Sequence, residues 1–199
     1  MRWLRVAAPL AAYVALAVIV ALYPDNAIDR AISTTLQRAD VLDPLFRAAS
    51  WPGNHVIAVV VPAAAIAGLL ALRARRDAAY LALSVLGATG LGQLTRWIVD
   101  RPRPAAPVRT LVRVTGASFP SGHVTEYVAL FGMLAVIAAA RVSNAALRRA
   151  AIAACALLVV AIGPSRIYLG AHWPSDAAGG YLIGAAWLAA AAQRYRAGR

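Results

Sequence analysis

Six apolar stretches divide the chain, near 6–23, 55–72, 78–99, 124–140, 145–162 and 177–192. A helix that crosses a bilayer needs about 20 mostly apolar residues, with about 17 tolerated. The fourth and sixth stretches fall short alone, and reach that length if the polar run before each forms its first turn. The pattern therefore predicts an all-α protein, a six-transmembrane helix bundle forming a single integral-membrane domain over 1–199. The first stretch follows Arg2 and Arg5, as a signal peptide would. Its apolar run is long and no clear cleavage site ends it before Pro24-Asp25, so it reads as a retained anchor.

The segment 25–54 has a different rhythm. Ile28, Ile32, Leu36 and Ala39 recur at helical spacing, with Asp29, Arg30, Gln37 and Arg38 between them. That is the pattern of a short amphipathic helix lying on the membrane surface between the first two spans; a solvated loop with accidental periodicity is the alternative. Residues 100–119 are rich in proline and arginine and read as a loop, either a lid or a headgroup-binding rim. Gly180-x3-Gly184 and Ala88-x3-Gly92 read as close helix packing.

Composition supports a membrane protein. Of 199 residues, 61% are hydrophobic and the mean hydropathy is +0.66, whereas soluble domains sit nearer half apolar. The formal charge of +12 and pI near 11.3 suggest nucleic acid at first. The basic residues, however, lie in short clusters between apolar runs without interleaved aromatics, so no nucleic-acid partner is expected. All twenty are arginine. With six spans, eleven arginines (Arg2, Arg5, Arg73, Arg75, Arg76, Arg141, Arg148, Arg149, Arg194, Arg196 and Arg199) share the side of the termini. Six others (Arg30, Arg38, Arg47, Arg101, Arg109 and Arg113) face the opposite side. Cytoplasmic loops carry the excess of positive charge, so both termini are expected in the cytoplasm. The lone Cys155 excludes an intrachain disulfide and reads as a small hydrophobe. Three histidines without Cys/His spacing, and no acidic-rich loop, leave neither metal nor cofactor expected.

Three polar islands interrupt the hydrocarbon: Arg96-x6-Arg103-Pro104, Pro120-Ser121-Gly122-His123, and Ser165-Arg166-x5-His172-x3-Asp176. Charged residues near a bilayer are costly and mark function by default. The orientation above puts all three islands on the non-cytoplasmic side. Asp176, four residues after His172, can accept from one imidazole nitrogen and leave the other free to attack phosphorus. Gly122 allows close backbone approach to an anion at a helix N-terminus, and Ser121 adds a hydroxyl. His123, when protonated, can serve a leaving alkoxide as general acid. Glu126, three residues on, either supports charged His123 or is an acid favoured by the helix dipole. Arg96, Arg103 and Arg166 offer guanidinium groups that match phosphate oxygens. His55, beside Trp51-Pro52-Gly53-Asn54, has no such motif and reads as interfacial.

These residues resemble the signature of the type 2 phosphatidic acid phosphatase superfamily, the lipid phosphate phosphatases: Lys-x6-Arg-Pro, Pro-Ser-Gly-His, and Ser-Arg-x5-His-x3-Asp. The match runs over 95–181, with one departure, Arg96 where the family usually has lysine. The resemblance implies a metal-independent six-helix membrane enzyme of bacterial type. His172 would be the nucleophile, Asp176 its partner and His123 the general acid. Arg96, Arg103, Ser121, Gly122 and Arg166 would bind phosphate, while Pro104 and Pro120 shape the backbone.

The expected activity is hydrolysis of a phosphate monoester or pyrophosphate on a membrane lipid through a phosphohistidine, at the periplasmic face of a bacterial inner membrane. Undecaprenyl pyrophosphate, phosphatidylglycerophosphate and phosphatidic acid are the substrate types considered. A lipid phosphotransferase using the same histidine, and a non-catalytic lipid-binding or transport protein, are the rival readings.

Overall fold

A computed structural model describes residues 3–54 and 56–198. The readings placed on Arg2, His55 and Arg199 lie outside the described residues. Within them the chain is all-helical, without strands. Its helices are α1 (Leu4–Leu22), α2 (Ala27–Leu36), α3 (Asp43–Ser50), α4 (Ile57–Ala71), α5 (Arg75–Val99), α6 (Gly122–Arg141), α7 (Ala145–Tyr168) and α8 (Pro174–Ala197).

Each of the six apolar stretches overlaps one helix, yet among the described residues only α1, α5, α6 and α7 are both long and apolar enough to cross a membrane. A fifth candidate arises if α4 is joined to the helical segment Asp40–Gly53, across a 60° bend. α8 has 24 residues, but polar groups at both ends, from Ser175 and Asp176 to Gln193, Arg194 and Arg196, dilute its hydropathy.

Local signals set the helix ends. Asp100 adopts φ +41°, a left-handed cap that stops α5, and Asp tolerates that region better than most residues. The Asn144 side chain accepts from the backbone N–H of Ala146 and Leu147, both at 3.0 Å, and starts α7. Pro174 opens α8 at a position where its missing N–H costs nothing.

The segment 25–54 holds more than the one short helix expected. Asp43-Pro44 begins a second helix, so α2 and α3 follow one another, linked by a short 3-10 turn. The polar stripe of α2 also points the opposite way from that of a soluble helix. Asp29, Ser33 and Gln37, spaced by four, are buried against the protein, while Ile28 and Ile32 are 72% and 46% exposed.

α6 lies at the centre, packed against α5, α7 and α8, and α1 packs on α8. The main core joins Leu81, Val124, Met133, Ile137, Ile162 and Tyr195. At one end of the bundle Asp77, buried, accepts from Arg141 Nε (2.8 Å) and the Tyr195 hydroxyl (2.8 Å). The C-terminal ends of α5 and α7 and the N-terminal ends of α6 and α8 meet at the other end. That up-and-down order brings the three polar islands together.

Candidate active site

One cavity of about 610 Å³ opens at that end, lined by Asn54, Arg96, Arg103, Gly122, His123, Arg166, His172 and the loop residues 112–115. Residues from all three islands share it, together with Asn54, which precedes α4.

His172 lies in the turn between α7 and α8 and is 3% exposed. Its Nδ1 is 2.8 Å from the Ser118 carbonyl oxygen. A carbonyl only accepts, so Nδ1 carries the proton and Nε2 keeps its lone pair. Nε2 stands 3.5 Å from Arg103 Nη1. Burial pushes the ring's pKa down to about 4, and Arg103 and Arg166 add to that, against the opposing pull of Asp176. The imidazole is therefore neutral near pH 7 and its lone pair is available.

Asp176 faces the His172 ring at ion-pair distance. Its Oδ2 is 3.6 Å from His172 Nδ1, beyond hydrogen-bond reach. That oxygen instead accepts from the Trp173 backbone N–H at 2.8 Å, capping α8. The tautomer is held by the Ser118 carbonyl, which no side-chain motif reveals. Asp176 Oδ1 accepts from Arg101 Nη1 at 2.6 Å.

The three clamp arginines differ. Arg166 sits in the last turn of α7, which runs past the expected end of the fifth apolar stretch. Its Nη1 donates to Ser50 Oγ at 2.6 Å, while buried Nε meets no acceptor among the described residues. Arg96, in the last turn of α5, donates to Gln93 Oε1 from Nε (3.3 Å) and Nη2 (2.8 Å) and to the Pro120 carbonyl from Nη1 (3.3 Å). Arg103 is engaged most fully. It donates to the carbonyls of Gly116 (2.9 Å), Ala171 (2.7 Å), Thr115 (3.1 Å) and Ala117 (3.1 Å). It contributes charge beside His172 and pins the loop there, rather than offering a free fork. Burial lowers its pKa, with Asp176 opposing.

Gly122 makes room for Arg96, since a Cβ there would lie 3.1 Å from Arg96 Nη1. His123 lines the cavity with Nε2 3.4 Å from Asn54 Oδ1. Its ring packs so closely on Gly53 that a Cβ at that glycine would come within 2.4 Å. Ser121 is fully buried and does not line the cavity; its hydroxyl has no partner among the described residues. Glu126 lies beside Thr89 and within electrostatic range of Arg96. Among the described residues no group of three His, Cys, Asp or Glu side chains is placed to hold a metal ion.

The 100–119 loop forms the rim. Gln37 ties it down, donating to the carbonyls of Arg109 (2.7 Å) and Tyr168 (2.9 Å) and accepting from the Arg109 N–H (2.9 Å).

Two residues behind the site escape a motif-based reading. Arg101 is 1% exposed. It donates to Asp176, to Ser175 Oγ (2.7 Å), to Asp29 Oδ2 (2.7 Å) and to the Pro24 carbonyl (2.9 Å). The sequence suggests Arg101 only as one positive charge in a loop. For Asp29, the spacing Asp29-Ser33-Gln37 is a legible polar stripe, but its inward direction is not.

The sequence pattern of the PAP2 superfamily matches residues 77–198, more than half of the chain, and the protein belongs to that family. Among solved structures, a transmembrane PAP2-type phosphatidylglycerolphosphate phosphatase from Bacillus subtilis has the same fold. It superposes with a TM-score of 0.80 at 22% identity, covering 98% of this chain and 97% of that one. Aquifex aeolicus LpxE superposes with a TM-score of 0.63 at 24% identity, covering 85% of this chain and 97% of that one. No curated protein matches the sequence significantly.

Proposed function

We propose that the protein is an integral-membrane lipid phosphatase that captures the phosphoryl group of a lipid phosphate or pyrophosphate on His172. The observation that carries this reading is the neutral, Nδ1-protonated His172, its Nε2 at the arginine-lined cavity that His123 also borders. Family membership supports it, and so does the activity named for the Bacillus subtilis protein of similar fold.

His172 Nε2 attacks phosphorus in line, the bond from phosphorus to the leaving oxygen breaks, and His123 gives that oxygen a proton. The donor Nδ1–H stays in place, so the phosphorylated ring carries positive charge. Asp176 at 3.6 Å answers that charge. Arg166, whose Nε has no acceptor among the described residues, and Arg96 balance the equatorial oxygens. Water then attacks phosphorus, the P–N bond breaks, and His123 takes the proton back. No metal is assigned to any step.

The remaining apolar helices, α4 and α8, complete six spans in this reading. The termini are cytoplasmic, the cavity opens to the periplasm of a bacterial inner membrane, and the exposed Ile28 and Ile32 of α2 rest on lipid. The lipid enters laterally and leaves its tails in hydrocarbon.

The test is phosphate release from a panel of purified lipids, including phosphatidic acid, phosphatidylglycerophosphate and undecaprenyl pyrophosphate. His172→Ala is expected to abolish both release and a trapped phosphoenzyme, with chelators having little effect. Transfer to a lipid acceptor without free phosphate would instead favour a phosphotransferase. Undiminished turnover in His172→Ala rejects the reading.

A further inference from the structure

A buried charge cluster lies directly behind the candidate nucleophile. Arg101 bridges two carboxylates, Asp176 at 2.6 Å and Asp29 at 2.7 Å, and all three side chains are almost wholly shielded from solvent. Asp29 is held from four directions. It accepts from Arg101 Nη2, from Asn26 Nδ2 (2.8 Å), from the Ser175 N–H (2.9 Å) and from Ser175 Oγ (2.5 Å). Ser175 precedes Asp176 in the first turn of α8. Asp29 thus ties the separate helix α2 to the turn that aims Asp176 at His172.

The formal charges of the cluster add a second point. The cluster's two carboxylates and one guanidinium leave one net negative charge behind a neutral His172, while Arg103, 3.5 Å from Nε2, and Arg166 line the cavity where phosphate would bind. When His172 Nε2 forms its bond to phosphorus and Nδ1 keeps its proton, the ring becomes cationic and the group is balanced. A single Asp176–Arg101 pair would already be neutral and would answer the cationic ring poorly. Asp29 occupies Arg101 from the other side, so Asp176 keeps negative charge to offer.

We infer that Asp29, acting through Arg101 and Ser175, is a positioning residue that readies Asp176 for the charged state of His172. It touches neither substrate nor the reacting atoms. The inference rests on the phosphohistidine reading above.

The experiment compares Asp29→Asn with the full-length parent in detergent micelles, using the best lipid of the panel. Asn preserves size and can still accept from the Ser175 N–H, but it removes the charge. The expected result is a fall of about tenfold in kcat with KM within about twofold, because a transition-state interaction is lost and not a binding one. In an Asp176→Asn background the same change is expected to cost less than about twofold, since residues acting as one unit are non-additive. Ser33→Ala, one turn further along the same buried face of α2, controls for packing and is expected to leave kcat within about twofold.

An unchanged kcat in Asp29→Asn, a purely additive double variant, an effect confined to KM, or an equal loss in Ser33→Ala would each overturn the inference. If the parent releases phosphate from no lipid, the proposed function fails on its own. The inference is then read from nitrogen-15 resonances of the His172 ring, which are tractable because the chain has three histidines. Displacement of those resonances by Asp29→Asn but not by Ser33→Ala supports it, and unmoved resonances reject it.

Discussion

Replacing Asp176 by Asn tests how the candidate site handles charge. In the resting protein the carboxylate has two occupied oxygens, one capping the Trp173 N–H at 2.8 Å and one on Arg101 at 2.6 Å. The amide has one acceptor, so one of those partners loses its bond. Breaking a buried hydrogen bond costs about 1–3 kcal/mol, and removing one partner of a buried ion pair about 3–5 kcal/mol. Asp29 still holds Arg101, which places the expected loss of stability near the overlap, about 3 kcal/mol.

The effect on the proposed phosphohistidine step is separate. Unit charges 3.6 Å apart, the distance from Asp176 to the His172 ring, attract by about 4–5 kcal/mol at an effective dielectric constant of about 20. Arg101 offsets part of that. About 2–3 kcal/mol of selective stabilisation of the cationic ring remains, or about 30- to 150-fold in kcat. The assay is single-turnover formation of the phosphoenzyme, run well below the variant's unfolding temperature, with folding checked by size-exclusion chromatography. A folded Asp176→Asn protein that forms phosphoenzyme within about threefold of the parental rate would falsify the electrostatic role of this carboxylate.

Two further outcomes follow from the geometry. His172 is held near pKa 4, below its ordinary 6.5, chiefly by burial. As pH falls through the window between those values the unfolded chain takes up the proton first. Stability relative to His172→Gln is therefore expected to decline from about pH 6.5 to about pH 4, and to level off below. Apparent Tm in detergent across that range checks this, and parallel curves for the two proteins would contradict a depressed His172. Gly170 has φ +65°, and a Cβ there would lie 2.0 Å from the Arg109 carbonyl oxygen. Gly170→Ala is expected to cost at least about 2–3 kcal/mol and to detach the rim loop, seen as a lower apparent Tm together with faster proteolysis within 103–117. An unchanged Tm would show that the backbone yields there.

Much of the candidate site is legible in the sequence. The three islands carry fixed internal spacings, and the alternation of apolar runs puts every island at the same end once consecutive helices run up and down. His172, His123, Arg96, Arg103, Arg166 and Gly122 do line one cavity. Their detailed roles were not legible. Hydropathy averages over a helix, so it found α4 and α8 but could not make α4 long enough or α8 apolar enough to count as spans. In 25–54 the periodicity was real, but an apolar stripe does not say whether protein or lipid lies on its other side. Pro44, a strong local signal for a new helix start, split the segment in two.

The sequence by itself determined which polar side chains this protein gathers and at which end of the bundle they meet. Helical period and bilayer thickness are local constraints that a linear pattern can express. Tertiary structure alone decided what each group does there. The Ser118 carbonyl stands closer to His172 Nδ1 than Asp176 does, and Arg103 is largely engaged by backbone carbonyls. Asp29, 147 positions before Asp176, reaches the site through Arg101. The physical reason is that hydrogen bonds and buried ion pairs depend on separations of a few tenths of an ångström between groups far apart along the chain. Such separations are set by how the helices pack, and residue spacing does not encode them.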